Sequence, residues 1–192
     1  MKKKELFEKE VGYIKNTRYK ENINILIDLL PDYFFVIPAS STGKYHPNYA
    51  LGDGGLVRHV KAAVRIAYEL LANPITGGKF TTDEKDLIIM ALIMHDGLKS
   101  GLVKNKYTQA DHPLLVSNYI KDNKDKLTLT ENEIFALTNM IESHMGIWNK
   151  DYNGNEILPI PVNKYQKFVH MCDFLASKKF IEMNFENNEI IG

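Results

Sequence analysis

Leu87-Ile88-Ile89-Met90-Ala91-Leu92-Ile93-Met94-His95-Asp96 is the stretch that decides the fold of this chain. Eight apolar residues in succession run directly into an imidazole and a carboxylate. Upstream, Thr82-Asp83-Glu84-Lys85 reads as a helix start, with Thr82 as the cap and Lys85 in place of the usual acidic third residue. Downstream, Gly97 and Gly101 break the helix. A carboxylate beside an apolar helix is costly unless something offsets its desolvation, and a metal cation is a common solution. The pair therefore points to a helix whose far end meets a polar centre.

Working outward, helical periodicity dominates. Residues 5–15 and 21–30 carry apolar side chains three and four apart, and Pro31 ends the second of these helices. Residues 36–55 hold two prolines and four glycines and read as a long loop of the kind that carries function. Within it Gly52-Asp53-Gly54-Gly55 is a turn into the next helix: the lysine and preceding strand of a phosphate loop are both missing. Further helices are expected over 56–71, 112–123, 131–144 and 162–181. His112-Pro113 opens one with proline in the tolerated first turn, and Thr130-Glu131-Asn132-Glu133 resembles a capping box. Asn73-Pro74 and Gly77-Gly78 separate the helix over 56–71 from the one that carries His95. The acidic ending, 182–192, is expected to be loosely held. With no strand series, the expected fold class is all-α.

Bulk composition narrows the function. The 192 residues are 44% hydrophobic and 25% charged, an ordinary globular balance that allows one sizeable core. Lys+Arg and Asp+Glu are equal at 24, which disfavours a partner held by a general basic surface. One cysteine, Cys172, allows no intramolecular disulfide and fits a reducing compartment; beside Asp173 it reads as a small buried hydrophobe. The start lacks a signal peptide's apolar stretch, and the run 87–94 is far short of a membrane span. A cytoplasmic protein with no membrane association is expected.

The chemistry lies in polar residues placed on apolar stripes. His59 has Leu56 before it and Ala62, Ala63 and Ile66 after it at helical spacing. His95 follows Ile88, Ala91 and Leu92; His144 follows Leu137, Met140 and Ile141; Asp173 lies between Val169 and Ala176. Each alone fits a hydrogen-bonded core residue, and Asp173 alone fits a partner for Lys178. Together, four polar groups on four core-facing stripes point to helices packed around one polar centre. Imidazoles and carboxylates without thiolates suit Mn, Fe, Zn, Co or Ni, and leave positions open for water.

The order His59, His95-Asp96, His112, His144, Asp173 resembles that of the HD-domain superfamily of metal-dependent phosphohydrolases. It is most similar to the HD domain of bacterial 3′–5′ exoribonucleases, where a Pro-Ala-rich loop with a histidine precedes a Gly-Leu-x-x-His helix. Here these are Pro38-Ala39-Ser40, His46 and Gly55-Leu56-Val57-Arg58-His59. The resemblance spans about residues 36–179. It implies a helical HD-domain bundle over 36–181, with the helices of 1–35 packed on it and 182–192 as a tail. It also implies that His59, His95, Asp96 and Asp173 bind one divalent ion, with Asp96 bridging to a second held by His112 and His144. Lys99 would face a substrate phosphate and His46 would line the mouth. Two departures stand out. His95-Asp96-Gly97-Leu98-Lys99 keeps the lysine spacing of the usual His-Asp-Ile-Gly-Lys but moves the glycine, and Ser143-His144-Met145-Gly146 lacks a second histidine. The exoribonucleases' nucleic-acid-binding domain is not expected here either, which argues against processive RNA degradation.

The resemblance thus implies a phosphohydrolase acting on a nucleotide, dinucleotide or short single-stranded nucleic acid through a metal-activated water. Asp96, Lys99 and His112 are its expected catalytic groups, and His112 or His46 is the expected donor of a proton to the leaving oxygen. The alternative is a non-catalytic HD-like module that binds a nucleotide or a protein. Tyr45, Tyr49 and Trp148 are candidates to stack on a base, Lys104 and Lys106 to attract a phosphate, and His170 to support Asp173.

Overall fold

The run 87–94 becomes the centre of the fold because it is apolar on every side. A helix with no polar face has to be surrounded, and each residue from Leu87 to Met94 is buried. In the computed structural model, which describes residues 2–40 and 42–191, this helix is α5 (Thr82–Met94). Met1, Ser41 and Gly192, which fall in the expected N-terminal region, loop and tail, lie outside the described residues. Around α5 pack α2 (Thr17–Leu29), α3 (Gly55–Ala72), α7 (Glu131–Glu142) and α8 (Lys164–Ala176). The remaining helices are the short α1 (Glu8–Gly12), the single turn α4 (Pro74–Gly77) and α6 (His112–Asp122), which pairs with α7. The described residues are mostly helical, as expected, with one small two-stranded sheet among them.

Three helices start on reciprocal capping boxes, one of them not where the sequence placed it. Thr130 with Glu133 caps α7 as expected. For α5 the cap is Thr81, not Thr82, and its partner is Glu84; the third position is acidic after all. Asn163 with Gln166 caps α8, which stops at Ala176, five residues short of the expected end.

The N-terminal region also departs from expectation. The stretch 5–15 is a 3-10 turn, Lys3–Phe7, followed by α1, and α2 begins at Thr17 rather than 21. The cause is a buried carboxylate on the central helix. Asp86 accepts the backbone N–H of Lys15 (3.0 Å) and Asn16 (2.8 Å), ending one helix, while the Asn16 side chain accepts from Arg18 N and starts the next.

The tail forms a hairpin, β1 (Asn184–Glu186) paired antiparallel with β2 (Glu189–Ile191). Asn187 and Asn188, both at positive φ, supply the two-residue turn that matches strand twist. The hairpin is tied down rather than loose. Arg58 donates to Asn188 Oδ1 (2.6 Å), and the fully buried Lys61 of α3 pairs with Glu189 of β2 and with Glu10 of α1 (3.5 Å). Polarity of the individual residues hid this, because their partners come from α1 and α3.

The loop before α3 is held by its own backbone: Ala39 N donates to Ala50 O, Gly54 N to Val36 O and Leu56 N to Ile37 O. Gly54 takes the left-handed conformation at the cap of α3, and a Cβ on Gly55 would lie 2.3 Å from the Ala50 carbonyl. That turn delivers His59 one helical turn into α3. Among the described residues no helix is long and apolar enough to cross a membrane.

Candidate metal centre

Five elements bring the expected residues together. His59 comes from α3, His95 and Asp96 from the end of α5, His112 from the start of α6, His144 from the turn after α7 and Asp173 from α8. The histidines and Asp96 are buried, and the Asp173 side chain is 17% exposed.

Asp96 organises the cluster through its two oxygens. Oδ2 lies 3.6 Å from His95 Nε2 and 3.7 Å from His59 Nε2. Oδ1 lies 3.0 Å from His112 Nε2 and 3.7 Å from His144 Nε2. Asp173 Oδ1 stands 2.9 Å from His59 Nε2 and 3.4 Å from His95 Nε2. His59, His95 and Asp173 form one group, and His95, Asp96 and His144 another, in which the donor atoms all lie within 4.8 Å of one another. Both groups can hold a metal ion. His112 Nε2 abuts the second group, 3.2 Å from His144 Nε2.

The imidazoles are oriented by a repeated local device. Nδ1 of His95, His112 and His144 donates to the carbonyl three residues earlier: Leu92 (2.7 Å), Gln109 (2.8 Å) and Ile141 (2.8 Å). A proton held at Nδ1 leaves the Nε2 lone pair as the ligating atom, turned to the centre. Nε2 of His95 is buried without a hydrogen-bond partner, as an electron-pair donor waiting for a cation would be. The donor set, imidazole nitrogens with carboxylate oxygens and no thiolate, fits Mn, Fe, Zn, Co or Ni.

Electrostatics follow from burial and crowding. Desolvation opposes ionisation of Asp96, but Lys99, His95 and His112 outweigh it and hold the carboxyl well below its usual range. His59 and His95 do the same for Asp173 against its own desolvation. Burial disfavours a proton on His95, yet Asp96 and Asp173 raise its pKa. For His144, burial and the neighbouring His95 push the pKa down to about 3.

The open side of the cluster forms the floor of a cavity of about 1060 Å³, with His59 and His95 outside its lining. Lys99, 2.5 Å from Asp96 Oδ2, lines it, as do Asp96, His112, His144 and Asp173. His46 lines it too, its ring edge-on to His59 with centroids 4.8 Å apart; burial drops its pKa to about 3, and its Nδ1 has no partner. The moved glycine has a steric reason, because a Cβ at Gly97 would lie 2.6 Å from Leu30 Cδ2.

Other expectations change. Tyr45 and Trp148 do line the cavity, but Tyr49 does not: its hydroxyl donates to Ala176 O and its ring packs on Phe185. Lys104 and Lys106 are exposed and lie outside the lining. His170 supports His144 rather than Asp173, donating from Nδ1 to the His144 carbonyl (2.6 Å). Lys178 is not the partner of Asp173; its ammonium sits over the Phe174 ring. Cys172 is buried, and burial raises its thiol pKa, as befits an inert side chain. Phe174, Ser177, Tyr107 and Tyr152 line the cavity without having been singled out from the sequence, and Lys178, expected only as a partner for Asp173, lines it too. Only the spacing Asp173-x3-Ser177-Lys178, which sets the last two just past the end of α8, hinted at Ser177 and Lys178. Comparison of the chain with protein-family models, with curated proteins and with solved structures returns no match.

Proposed function

We propose that this protein is a metal-dependent phosphohydrolase of the HD-domain kind, cleaving a phosphoester of a nucleotide, dinucleotide or short single-stranded nucleic acid. The observation that carries the reading is the division of Asp96, one oxygen toward His59 and His95 and the other toward His112 and His144. In this reading His59, His95, Asp96 and Asp173 hold one divalent ion, and Asp96, His112 and His144 a second. Such ions neutralise phosphate charge and lower the pKa of water from ~15.7 toward ~7.

The chain's own groups do the rest. Lys99 at the cavity wall offers its ammonium to a phosphate oxygen and stabilises charge that grows during displacement. Asp96 stays ionised at neutral pH and gives the floor its negative charge. His112, with Nδ1 committed to Gln109 and Nε2 turned to Asp96, serves as a ligand rather than as the proton donor. His46 is neutral at pH 7, so it lines the cavity without storing a proton for the leaving group. The cavity is large enough for a nucleotide-sized ligand.

The test is elemental analysis of the purified protein together with hydrolysis of a generic phosphodiester before and after chelation. Bound transition metal and activity that chelation abolishes and Mn restores are expected, with both lost in Asp96→Ala. Full activity after chelation overturns the reading. No bound metal and no hydrolysis with added Mn would instead favour a binding-only module.

A further inference from the structure

The same two segments that deliver His144 and Asp173 also deliver a stacked aromatic pair at the cavity wall. Trp148 lies four residues after His144, and Phe174 directly follows Asp173. Their rings are near-parallel, 17° apart, with centroids 5.7 Å from each other. Lys178, two residues past the end of α8, places its ammonium 3.6 Å from the Phe174 centroid and 5.7 Å from that of Trp148. All three line the cavity whose floor is the open side of the histidine–aspartate cluster. Trp148 is 51% exposed although it is the largest apolar side chain in the wall.

Two rings in contact inside a cavity form a contiguous apolar patch, and such a patch beside convergent polar groups is the setting of a ligand site. The floor and Lys99 account for a phosphate; nothing in that chemistry needs an aromatic pair. A cation beside the pair adds a donor for ring carbonyls or ring nitrogens at the edge of a stacked group. We propose that Trp148, Phe174 and Lys178 form the specificity subsite for a nucleobase: the base stacks on Trp148, and Lys178 donates to an acceptor on its edge. The placement rests on the phosphohydrolase reading, which sets the phosphate at the cluster. The subsite selects for a base, and a phosphoester without one binds only at the cluster.

The subsite contains its own reporter, because Trp148 is the single tryptophan. The experiment titrates the protein with adenosine and cytidine 5′-monophosphates, ribose 5-phosphate and inorganic phosphate. Trp148 fluorescence is corrected for absorption by the base, and the titrations are run in chelator and again with Mn. Saturable quenching by the nucleotides alone is expected. By calorimetry, Trp148→Leu weakens nucleotide binding about tenfold or more, Trp148→Phe keeps most of it, and Lys178→Ala weakens it several-fold. Circular dichroism confirms that each variant is folded. Equal affinity for ribose 5-phosphate and the nucleotides, unchanged affinity in Trp148→Leu, or no nucleotide binding in either buffer overturns the subsite. None of these bears on the metal centre, which elemental analysis decides separately.

Discussion

Asp86 offers the sharpest test of how the central helix is held. Its carboxylate, 2% exposed, accepts three contacts from two backbone donors, Lys15 N at 3.0 Å to each oxygen and Asn16 N at 2.8 Å. These donors sit where α1 gives way to α2, so no helix hydrogen bond replaces the carboxylate. Asp86→Ala removes two hydrogen bonds to a charged acceptor, each worth about 1.5–3 kcal/mol. It also leaves both N–H groups facing a methyl group. The expected loss is therefore roughly 3–5 kcal/mol. At about 2–4 °C per kcal/mol for a chain of this size, the midpoint of thermal unfolding falls by roughly 6–20 °C. Asp86→Asn keeps one acceptor but turns an amide N–H toward a backbone donor, and recovers less than half of the loss. Scanning calorimetry of the three proteins decides the matter. A midpoint lowered by less than about 2 °C in Asp86→Ala would refute the account, since water would then be satisfying both N–H groups.

Further outcomes follow from the same geometry. Glu133 accepts from Arg18, Tyr19 and the Thr130 backbone, and the Arg18 bond leads in lowering its pKa from 4.5 to about 2. Because the folded value is the lower one, its contribution is fully present above pH 4.5 and is lost as the pH falls through 2. Glu133→Gln should flatten the acid limb of stability by the order of 2 kcal/mol after screening at the partly exposed Arg18, measured by urea unfolding between pH 2 and 6. Metal binding should weaken on acidification. The carboxylates raise the His95 pKa above 6.5, so an incoming ion must displace that proton. Competition with a chromogenic chelator at pH 5 to 8 should show the affinity falling about tenfold per unit below that pKa for each proton displaced; affinity independent of pH would remove His95 from the ligand set. Gly146 has φ +61°, and a Cβ there would lie 2.3 Å from the His170 ring that holds the His144 carbonyl. Gly146→Ala should reduce metal occupancy and cost about 1–3 kcal/mol of stability, read by elemental analysis and thermal unfolding.

Much of the helical plan was legible because the signals are local. Thr130 and Glu133 are three residues apart, Pro113 follows His112 and the run 87–94 is apolar at every position, so each could be read without knowing its surroundings. The misplaced α5 start shows the limit of such signals: Thr81 and Thr82 offer the same hydroxyl, and only the reach of Glu84 back to the Thr81 N–H decides between them. The break at residues 13–16 was invisible because its cause, Asp86, is seventy residues away. The hairpin was missed for a similar reason, since Glu189 finds its cation on α3 and Asn188 finds Arg58.

The sequence alone determined which residues were eligible for the centre, since an imidazole or carboxylate on an apolar stripe must point inward with its helix. Tertiary structure decided what they do there. The crossing of α3, α5, α6, α7 and α8 sets which Nε2 faces which oxygen of Asp96, and it assigned His170 to His144 and Tyr49 to Ala176. It also laid Trp148 beside Phe174 under the Lys178 ammonium, because separate segments close on the same cavity. Helical periodicity reports the direction of a side chain relative to its own axis; the distance to a side chain on another axis depends on how the axes pack.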